Sequence, residues 1–447
     1  MIPLETIQAM FNARSVAVVG ASANTDKTGY TILKNLVDGG YAGALYPINP
    51  KSENILGVRC YPALPDVPGD IDLVVVVVPA KAVPEVMRQA AEKKAKGAVI
   101  ISGGFREIGN TELEAEVMGI ARDNGIAVIG PNCQGLNYTP NKLCASWPLV
   151  KRQGSMAVVS QSGTIGSAME GWADDDEIGI TAMVALGNKS GVSEVELMQY
   201  FAKDPATKVI ALNIEGVSDG AAFIKTAAEV IEQKPLVVLK PGRTAKGAEA
   251  AQSHTKSIAG SDAVFDAVCR QFGIIRAEGI TEFYDYCKIL SMLNKPAGNR
   301  VMIVTSSGGS GILASDICED IGMDIVRLDK TVAEKLTENL PSQCVVANPL
   351  DLTGDATAAR YQTALDIAIK AENVDSYLVI FGDPIEGACD VVERLSAGTA
   401  KPIVVTYIGG GEVQKLESLK MHRLSIPVFA TPERSVRALG SLLKKRK

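Results

Sequence analysis

Histidine is nearly absent from this chain: two occur in 447 residues, and eight cysteines lie scattered with no CxxC pair among them. That scarcity excludes the familiar zinc-ligand spacings and gives no disulfide framework, so a reducing cytoplasm fits best. Long apolar runs are missing too. The longest, residues 73–80, falls far short of the ~20 residues that cross a bilayer, and residues 1–14 carry no signal-peptide core, so a soluble, unprocessed protein is expected. Nor is there an excess of positive charge: a net −6 argues against a nucleic-acid partner while leaving local basic sites for small anions. Low-complexity tracts and short-period repeats are also lacking.

What is present is an ordinary globular composition, 47% apolar and 21% charged, long enough for about three domains at ~150 residues each. Short β-branched runs, glycine-bearing turns and helical stretches alternate from end to end, the pattern of parallel sheets covered by helices. In the first third, strands are expected at 15–20, 44–49, 72–79, 97–102 and 126–130, with helices near 28–38, 82–94 and 112–124. The unbroken apolar run at 73–78 predicts a central strand buried on both faces. A second set has strands at 155–160, 181–186, 209–214 and 236–240 and a helix at 262–272. The Pro/Gly-bearing stretch 294–299 reads as a linker. A third set has strands at 300–305, 324–328, 376–381 and 403–407.

The first expected strand ends in Val19-Gly20-Ala21-Ser22-Ala23-Asn24, and a helix follows within a few residues. Such a turn lets main-chain N–H groups approach phosphate, with the helix N-terminus adding partial positive charge. The second strand ends in Asn49-Pro50-Lys51, where a dinucleotide site would carry an acid. A lysine there suits a ligand with an extra phosphate, coenzyme A or NADP rather than NAD. Three further turns, Val78-Pro79-Ala80-Lys81, Ser102-Gly103-Gly104-Phe105 and Pro131-Asn132-Cys133-Gln134, fall at strand ends and would rim the same cleft. Cys133 has no histidine nearby in sequence, which favours a packing role over a catalytic thiol.

In the second set, Ser160-Gln161-Ser162-Gly163 again runs from strand to helix and reads as an anion site. Glu215, at the end of another strand, has two readings: a carboxylate that fixes the tautomer of an imidazole, or a helix cap. His254 sits in what reads as a loop of small and polar residues. It is either a mobile nucleophile for phosphorus or a surface or capping histidine. Lys240, Arg243 and Lys246 precede it and read either as counter-charges for phosphate or as solvated lysines and arginine. The third set offers Thr305-Ser306-Ser307-Gly308, another potential anion turn, and Asn348-Pro349-Leu350-Asp351, a rigid loop whose polar side chains would bind their own backbone.

Together these residues resemble the α subunit of the NDP-forming acyl-CoA synthetases, the family of ADP-forming acetate–CoA ligase, related to succinyl-CoA synthetase. The most specific elements are Ser253-His254-Thr255 continuing to Ile258-Ala259-Gly260-Ser261-Asp262, the Ser160–Gly163 turn, and Asn348-Pro349-Leu350-Asp351. The match runs over nearly the whole chain, with Lys256 standing where the family usually has glycine. The resemblance implies an α/β protein of three doubly wound domains with mainly parallel sheets. These are a Rossmann-like CoA-binding domain over 1–148, then two flavodoxin-like domains of the succinyl-CoA synthetase type, the phosphohistidine domain over 149–295 and a ligase-CoA domain over 296–447. It implies CoA contacts at Gly20, Ser22, Asn24, Pro50, Lys51, Val78, Pro79, Ser102, Gly103, Asn132 and Cys133. Phosphorylation is expected at His254, with Glu215 orienting it and Ser160, Gln161, Ser162 and Gly163 cradling the phosphate. ATP or ADP with Mg²⁺ is expected on an ATP-grasp β subunit, in an α2β2 heterotetramer, with no metal held by this chain. A non-catalytic CoA-binding regulatory protein of the same fold is the competing reading. It is disfavoured because both His254 and Glu215 are retained.

Overall fold

Where the β-branched runs were expected, strands form and the intervening segments coil into helices. The computed structural model describes residues 2–255, 261–293 and 298–443, and of residues 251–255 the backbone alone. The first sheet contains β1 (Ser15–Val19) and β2 (Ala44–Ile48). After a small antiparallel hairpin of β3 (Asn54–Ile55) and β4 (Val58–Arg59), it continues with β5 (Leu73–Val76), β6 (Gly97–Ile100) and β7 (Ala127–Ile129). Its order is β2-β1-β5-β6-β7, all parallel, so chain direction reverses its march between β1 and β5. All four residues of β5 are buried, as an unalternating valine run demands. Helices α1 (Leu4–Phe11), α2 (Thr28–Asp38), α3 (Val83–Glu92) and α4 (Thr111–Asp123) accompany this sheet. Val83, Met87 and Ala90 of α3 and Val117 and Ala121 of α4 share a core with Val74, Val76, Ala98 and Ile100.

The second sheet is built from β8 (Gly135–Tyr138), β9 (Leu143–Ser146), β10 (Gln153–Ser160), β11 (Ile180–Ala185), β12 (Val209–Asn213), β13 (Leu236–Leu239) and β14 (Ile275–Ala277). Its order is β14-β13-β12-β10-β11-β8-β9, parallel except for the β8–β9 hairpin, which lies antiparallel on β11. That hairpin falls within the stretch 1–148 read from sequence as the first domain, yet it pairs with the second sheet. Helices α5 (Gly163–Asp175), α6 (Glu194–Lys203), α7 (Gly220–Ile231), α8 (Ala245–Thr255) and α9 (Asp262–Phe272) belong here. The segment leading to His254 was expected to be a loop; its backbone is helical to Thr255. The alanine-rich run Ala245-Lys-Gly-Ala-Glu-Ala-Ala-Gln explains this, since good helix formers outnumber its one glycine.

The chain divides into two compact units, residues 1–175 with 179–280, and 176–178 with 281–447. The first holds both sheets above. Phe11 of α1 stacks on Tyr200 of α6 with ring centroids 4.4 Å apart and meets Tyr138 and Phe201 edge-on at 5.4 and 5.3 Å. Such aromatic pairs add about 0.5–1.5 kcal/mol each beyond simple burial.

The second unit carries β15 (Arg300–Thr305), β16 (Asp324–Ile325), β17 (Leu350–Asp351), β18 (Ser376–Phe381), β19 (Ile403–Tyr407) and β20 (Val428–Phe429), all paired in parallel in the order β16-β15-β18-β19-β20 with β17 also on β15. Residues 176–178 join it because Asp176 is held there. Its carboxylate accepts from Tyr284 Oη at 2.7 Å and Lys288 Nζ at 2.8 Å, and His422 Nδ1 lies 2.9 Å from its carbonyl oxygen. Arg434 forks onto Asp285 at 2.8 and 2.7 Å. Residues 294–297, within the expected linker, lie outside the described residues.

Candidate functional site

The five turns at the carboxyl edge of the first sheet are stitched together in a row. Gly20 has φ +93°, and a Cβ there would lie 2.3 Å from the Val77 carbonyl oxygen, so only glycine lets the first turn approach the third. Asn49 Nδ2 donates to the Ala21 carbonyl at 2.7 Å, and its Oδ1 accepts from Lys51 N–H at 2.8 Å, which draws Pro50 and the exposed Lys51 beside the Gly20 turn. Ser22 Oγ accepts from Asn24 N–H at 3.1 Å, and Asn24 Oδ1 from Asp26 N–H at 2.9 Å, which shapes the approach to α2. On the other side, Ser102 Oγ donates to the Val78 carbonyl at 2.6 Å, beside Pro79, and Asn132 N–H donates to the Ser102 carbonyl at 3.0 Å. Gly103 lies against Asn132 Oδ1, 3.1 Å from where a Cβ would sit.

Every sequence-predicted position on this rim is thus brought to one edge, across the β1/β5 reversal where open α/β sheets take their ligands. Cys133 is the exception in detail. Its Sγ lies 3.3 Å from the Ile100 carbonyl, and burial pushes the thiol up to about 12, so only its main chain can face a ligand.

The second cluster sits where β10 gives way to α5. Ser160 is fully buried. Its Oγ donates to the Ser162 carbonyl at 2.6 Å and accepts from Asn213 Nδ2 at 2.9 Å, so the hydroxyl shapes the turn and is not itself available to an anion. Gln161 N–H donates to the Asn213 carbonyl at 2.9 Å, and its Oε1 accepts from Glu215 N–H at 2.7 Å. Glu215, two residues beyond β12 and 8% exposed, is thereby tied to the turn through its own backbone. At any helix start the first N–H groups have no intrahelical acceptor, and here Gly163 and Thr164 open α5. That arrangement offers main-chain donors and partial positive charge to a phosphate. The side chain of His254 lies outside the described residues.

Lys240 departs from its solvated reading. It is 3% exposed, with Nζ over the Phe265 ring at 5.7 Å and no hydrogen-bond partner among the described residues; burial lowers its affinity for a proton. Arg243 pairs with Glu278 at 3.3 Å, and Lys246 is exposed near Glu249 at 3.6 Å. In the second unit Asn348 does not bind its own backbone. Its Oδ1 accepts from Ile303 N–H at 2.9 Å, and its Nδ2 donates to the Val301 and Val326 carbonyls at 2.8 and 2.9 Å, bridging the gap between strands.

Asn213 and Glu107 were not singled out from sequence. Burial works against ionisation of Glu107, but bonds from Asn188, Gly104 and Phe105 outweigh it and hold the carboxyl below its usual range. The available signal for Asn213 is a lone amide closing a fully buried apolar strand. A cavity of ≈ 620 Å³ opens along α5 between residues 148–152 and Glu170, and none of the first-sheet rim positions lines it. Glu170 Oε1 accepts from Asn137 Nδ2 at 3.0 Å, and burial raises its carboxyl to about 7. Among the described residues no group of three or more His, Cys, Asp or Glu side chains could hold a metal ion, and no helix is long and apolar enough to cross a membrane.

Three family models match in order: a CoA binding domain over residues 14–139, a succinyl-CoA ligase like flavodoxin domain over 153–290 and a Ligase-CoA domain over 301–446. The chain is 38% identical to the α subunit of ADP-forming acetate–CoA ligase I of Pyrococcus furiosus, covering 98% of this chain and 97% of that one. It is also 38% identical to ADP-forming acetate–CoA ligase I of Archaeoglobus fulgidus, where 98% of this chain spans 63% of a longer protein. Among solved structures, acetyl-coenzyme A synthetase 1 of Ca. Korarchaeum cryptofilum, described as dinucleotide forming and in complex with phosphate and ADP, superposes with a TM-score of 0.92 at 36% identity, over 99% of this chain and 96% of that one.

Proposed function

This chain belongs to the ADP-forming acyl-CoA ligase family and corresponds to its α subunit, and on that premise we propose that it converts acyl-CoA, ADP and phosphate reversibly to carboxylic acid, CoA and ATP. The observation that carries the reading is the joined cradle: the start of α5, its shaping residues Ser160 and Asn213, and the Glu215 backbone bound to Gln161. The first-sheet rim from Gly20 to Asn132 takes CoA, with Lys51 toward its extra phosphate. Inorganic phosphate attacks the thioester carbonyl; the C–S bond breaks, CoA leaves as thiolate and acyl phosphate forms. An imidazole nitrogen of His254 then attacks phosphorus, and the carboxylate departs. Finally a terminal oxygen of ADP takes the phosphoryl group, the P–N bond breaks and neutral imidazole is restored.

Phosphoryl transfer of this kind depends on positioning and charge stabilisation, which the α5 N–H groups supply at the phosphorylated ring. Glu215 fixes the tautomer that leaves one nitrogen free. We place the nucleotide and its Mg²⁺, which would neutralise phosphate charge, on an ATP-grasp β partner in an α2β2 assembly. The 63% coverage of the longer Archaeoglobus relative leaves room there for such a domain within one chain. The eight cysteines form no disulfide among the described residues, which supports a reducing, cytoplasmic setting.

The test is to incubate the chain and its partner with radiolabelled ATP and Mg²⁺. The expected result is an acid-labile, base-stable label on wild type that is absent from His254→Ala. A chain that binds CoA yet takes no label under any condition is a regulatory CoA-binding protein instead.

A further inference from the structure

The loop of residues 186–190, which follows β11, touches both clusters. Asn188 is 8% exposed, and its whole amide is engaged by the first-sheet region. Its Nδ2 donates to Glu107 Oε2 at 2.7 Å and Glu114 Oε2 at 2.9 Å, and its Oδ1 accepts from Asn132 Nδ2 at 3.3 Å. The backbone follows: Asn188 N–H donates to the Pro131 carbonyl at 2.9 Å and Ser190 N–H to that of Gly130 at 3.2 Å. Glu107 in turn accepts from Gly104 and Phe105 N–H at 2.5 and 3.0 Å. These partners lie on, or directly brace, the turns at Gly103 and Asn132.

Lys189 serves the other cluster. Its side chain is 5% exposed, Nζ donates to the Gly216 carbonyl at 2.8 Å, and the same Nζ lies 2.9 Å from Glu194 Oε2, itself 2% exposed. Gly216 is the residue after Glu215, so this ammonium clamps the backbone that presents the carboxylate. A buried ammonium is tolerable only with acceptors of this kind. Lys189 also holds φ +55°, a left-handed conformation disfavoured for a side-chain-bearing residue. The strain is retained where neighbouring residues 188 and 189 must face two different sites.

We propose that Lys189 is a positioning residue for Glu215 and that residues 186–190 couple the CoA rim to the phosphoryl cradle, so that CoA at the first alters phosphorylation of His254 at the second. The inference rests on the assignment of those two sites given above. Because the peptide joining Asn188 and Lys189 is rigid, a shift of the 103–107 or 130–133 turns on ligand binding moves the Gly216 clamp with it. By linkage, phosphorylation must change CoA affinity by the same factor.

The experiment uses the chain with its β partner, radiolabelled ATP and Mg²⁺, with and without CoA. In wild type, CoA is expected to change the extent of labelling at equilibrium by between about twofold and thirtyfold, the range of inter-site couplings. Asn188→Ala loses that response while labelling without CoA stays within about twofold of wild type. Lys189→Met takes label roughly tenfold more slowly in either condition, and Lys189→Arg, which keeps a donor for Gly216, recovers most of the rate. Wild-type labelling rates in Lys189→Met, a wild type indifferent to CoA, or an undiminished CoA response in Asn188→Ala would each overturn the proposal. A wild type that takes no label removes the relay reading itself, and hydrogen exchange then decides the coupling. Slower exchange across residues 213–219 on adding CoA, seen in wild type and lost in Asn188→Ala, supports it; equal behaviour in the two sinks it.

Discussion

Two strand-to-helix turns in this protein share a plan and differ in one charge. At the end of β10, Ser160 Oγ closes the turn onto the Ser162 carbonyl; at the end of β15, Thr305 Oγ1 does the same to Ser307 at 3.0 Å. Each hydroxyl residue is paired in register with a polar residue on a neighbouring parallel strand, Ser160 with Asn213 and Thr305 with Asp351. Asn213 is a neutral amide that donates to Ser160 Oγ. Asp351 is a carboxylate, and its Oδ2 lies 2.7 Å from where a Cβ of Gly308 would sit, at the first residue of the following helix. The second-unit turn therefore carries a carboxylate at the helix start, whereas the group at that place in the first-unit turn is the neutral amide of Gln134, 2.9 Å from where a Cβ of Gly163 would sit. Similar composition at a turn does not fix the charge at the helix start; the side chains packed against it decide.

The sharpest way to break this comparison is to move the charge. Asn213→Asp is expected to cut phosphohistidine labelling by a hundredfold or more, comparable to losing a main oxyanion donor, because it places a carboxylate at a fully buried position and removes the bond to Ser160. Thermal melting of the same sample separates this from unfolding, and normal labelling would show that charge at that register is irrelevant.

The two units should also answer pH in opposite senses. Glu170 in the first has its carboxyl raised by burial to about 7, so the folded state binds the extra proton between roughly pH 4.5 and 7 and loses stability as pH rises through that window. His422 in the second is pushed down to about 4, first by burial and then by the Lys288 charge, with Asp176 opposing. Its unfolded form binds the proton between about pH 6.5 and 4, so stability is lost as pH falls. Each effect is on the order of 3 kcal/mol across its window. Denaturant melts of Glu170→Gln and His422→Gln at pH 5 and 8 should therefore gain on wild type at opposite ends, and parallel pH curves would refute the assignment.

The smallest effect is expected from Asp351→Asn. It should cost about 0.5–1 kcal/mol of helix-end stabilisation in chemical denaturation, with labelling of His254 unchanged. A loss of labelling there would make the second turn part of the catalytic path.

Much of this was legible in the sequence because the signals are local. Thr28–Asp38, Asp262–Phe272, Arg300–Thr305 and Ser376–Phe381 form as their periodicity predicts, and every candidate rim position lies on one edge. What escaped depended on distant partners. The β8–β9 hairpin follows a turn rich in Pro, Asn and Gly that reads as first-domain rim, and nothing in its residues names β11 as its neighbour. Lys240 looks like any lysine after a strand until Phe265 covers it. Asn188 and Lys189 sit in an ordinary Gly-Asn-Lys turn, and their importance lies wholly in the chains that meet them.

The β8–β9 hairpin has a practical consequence for anyone cutting the molecule. A fragment ending near residue 148 would carry off the two outermost strands of the second sheet, and the remainder would expose the naked edge of β11, a template for sticking to other chains. Residues 1–134 and 135–280 are the better halves to express and mix, since each keeps its own sheet whole and the Phe11–Tyr200 stack is left to bring them back together.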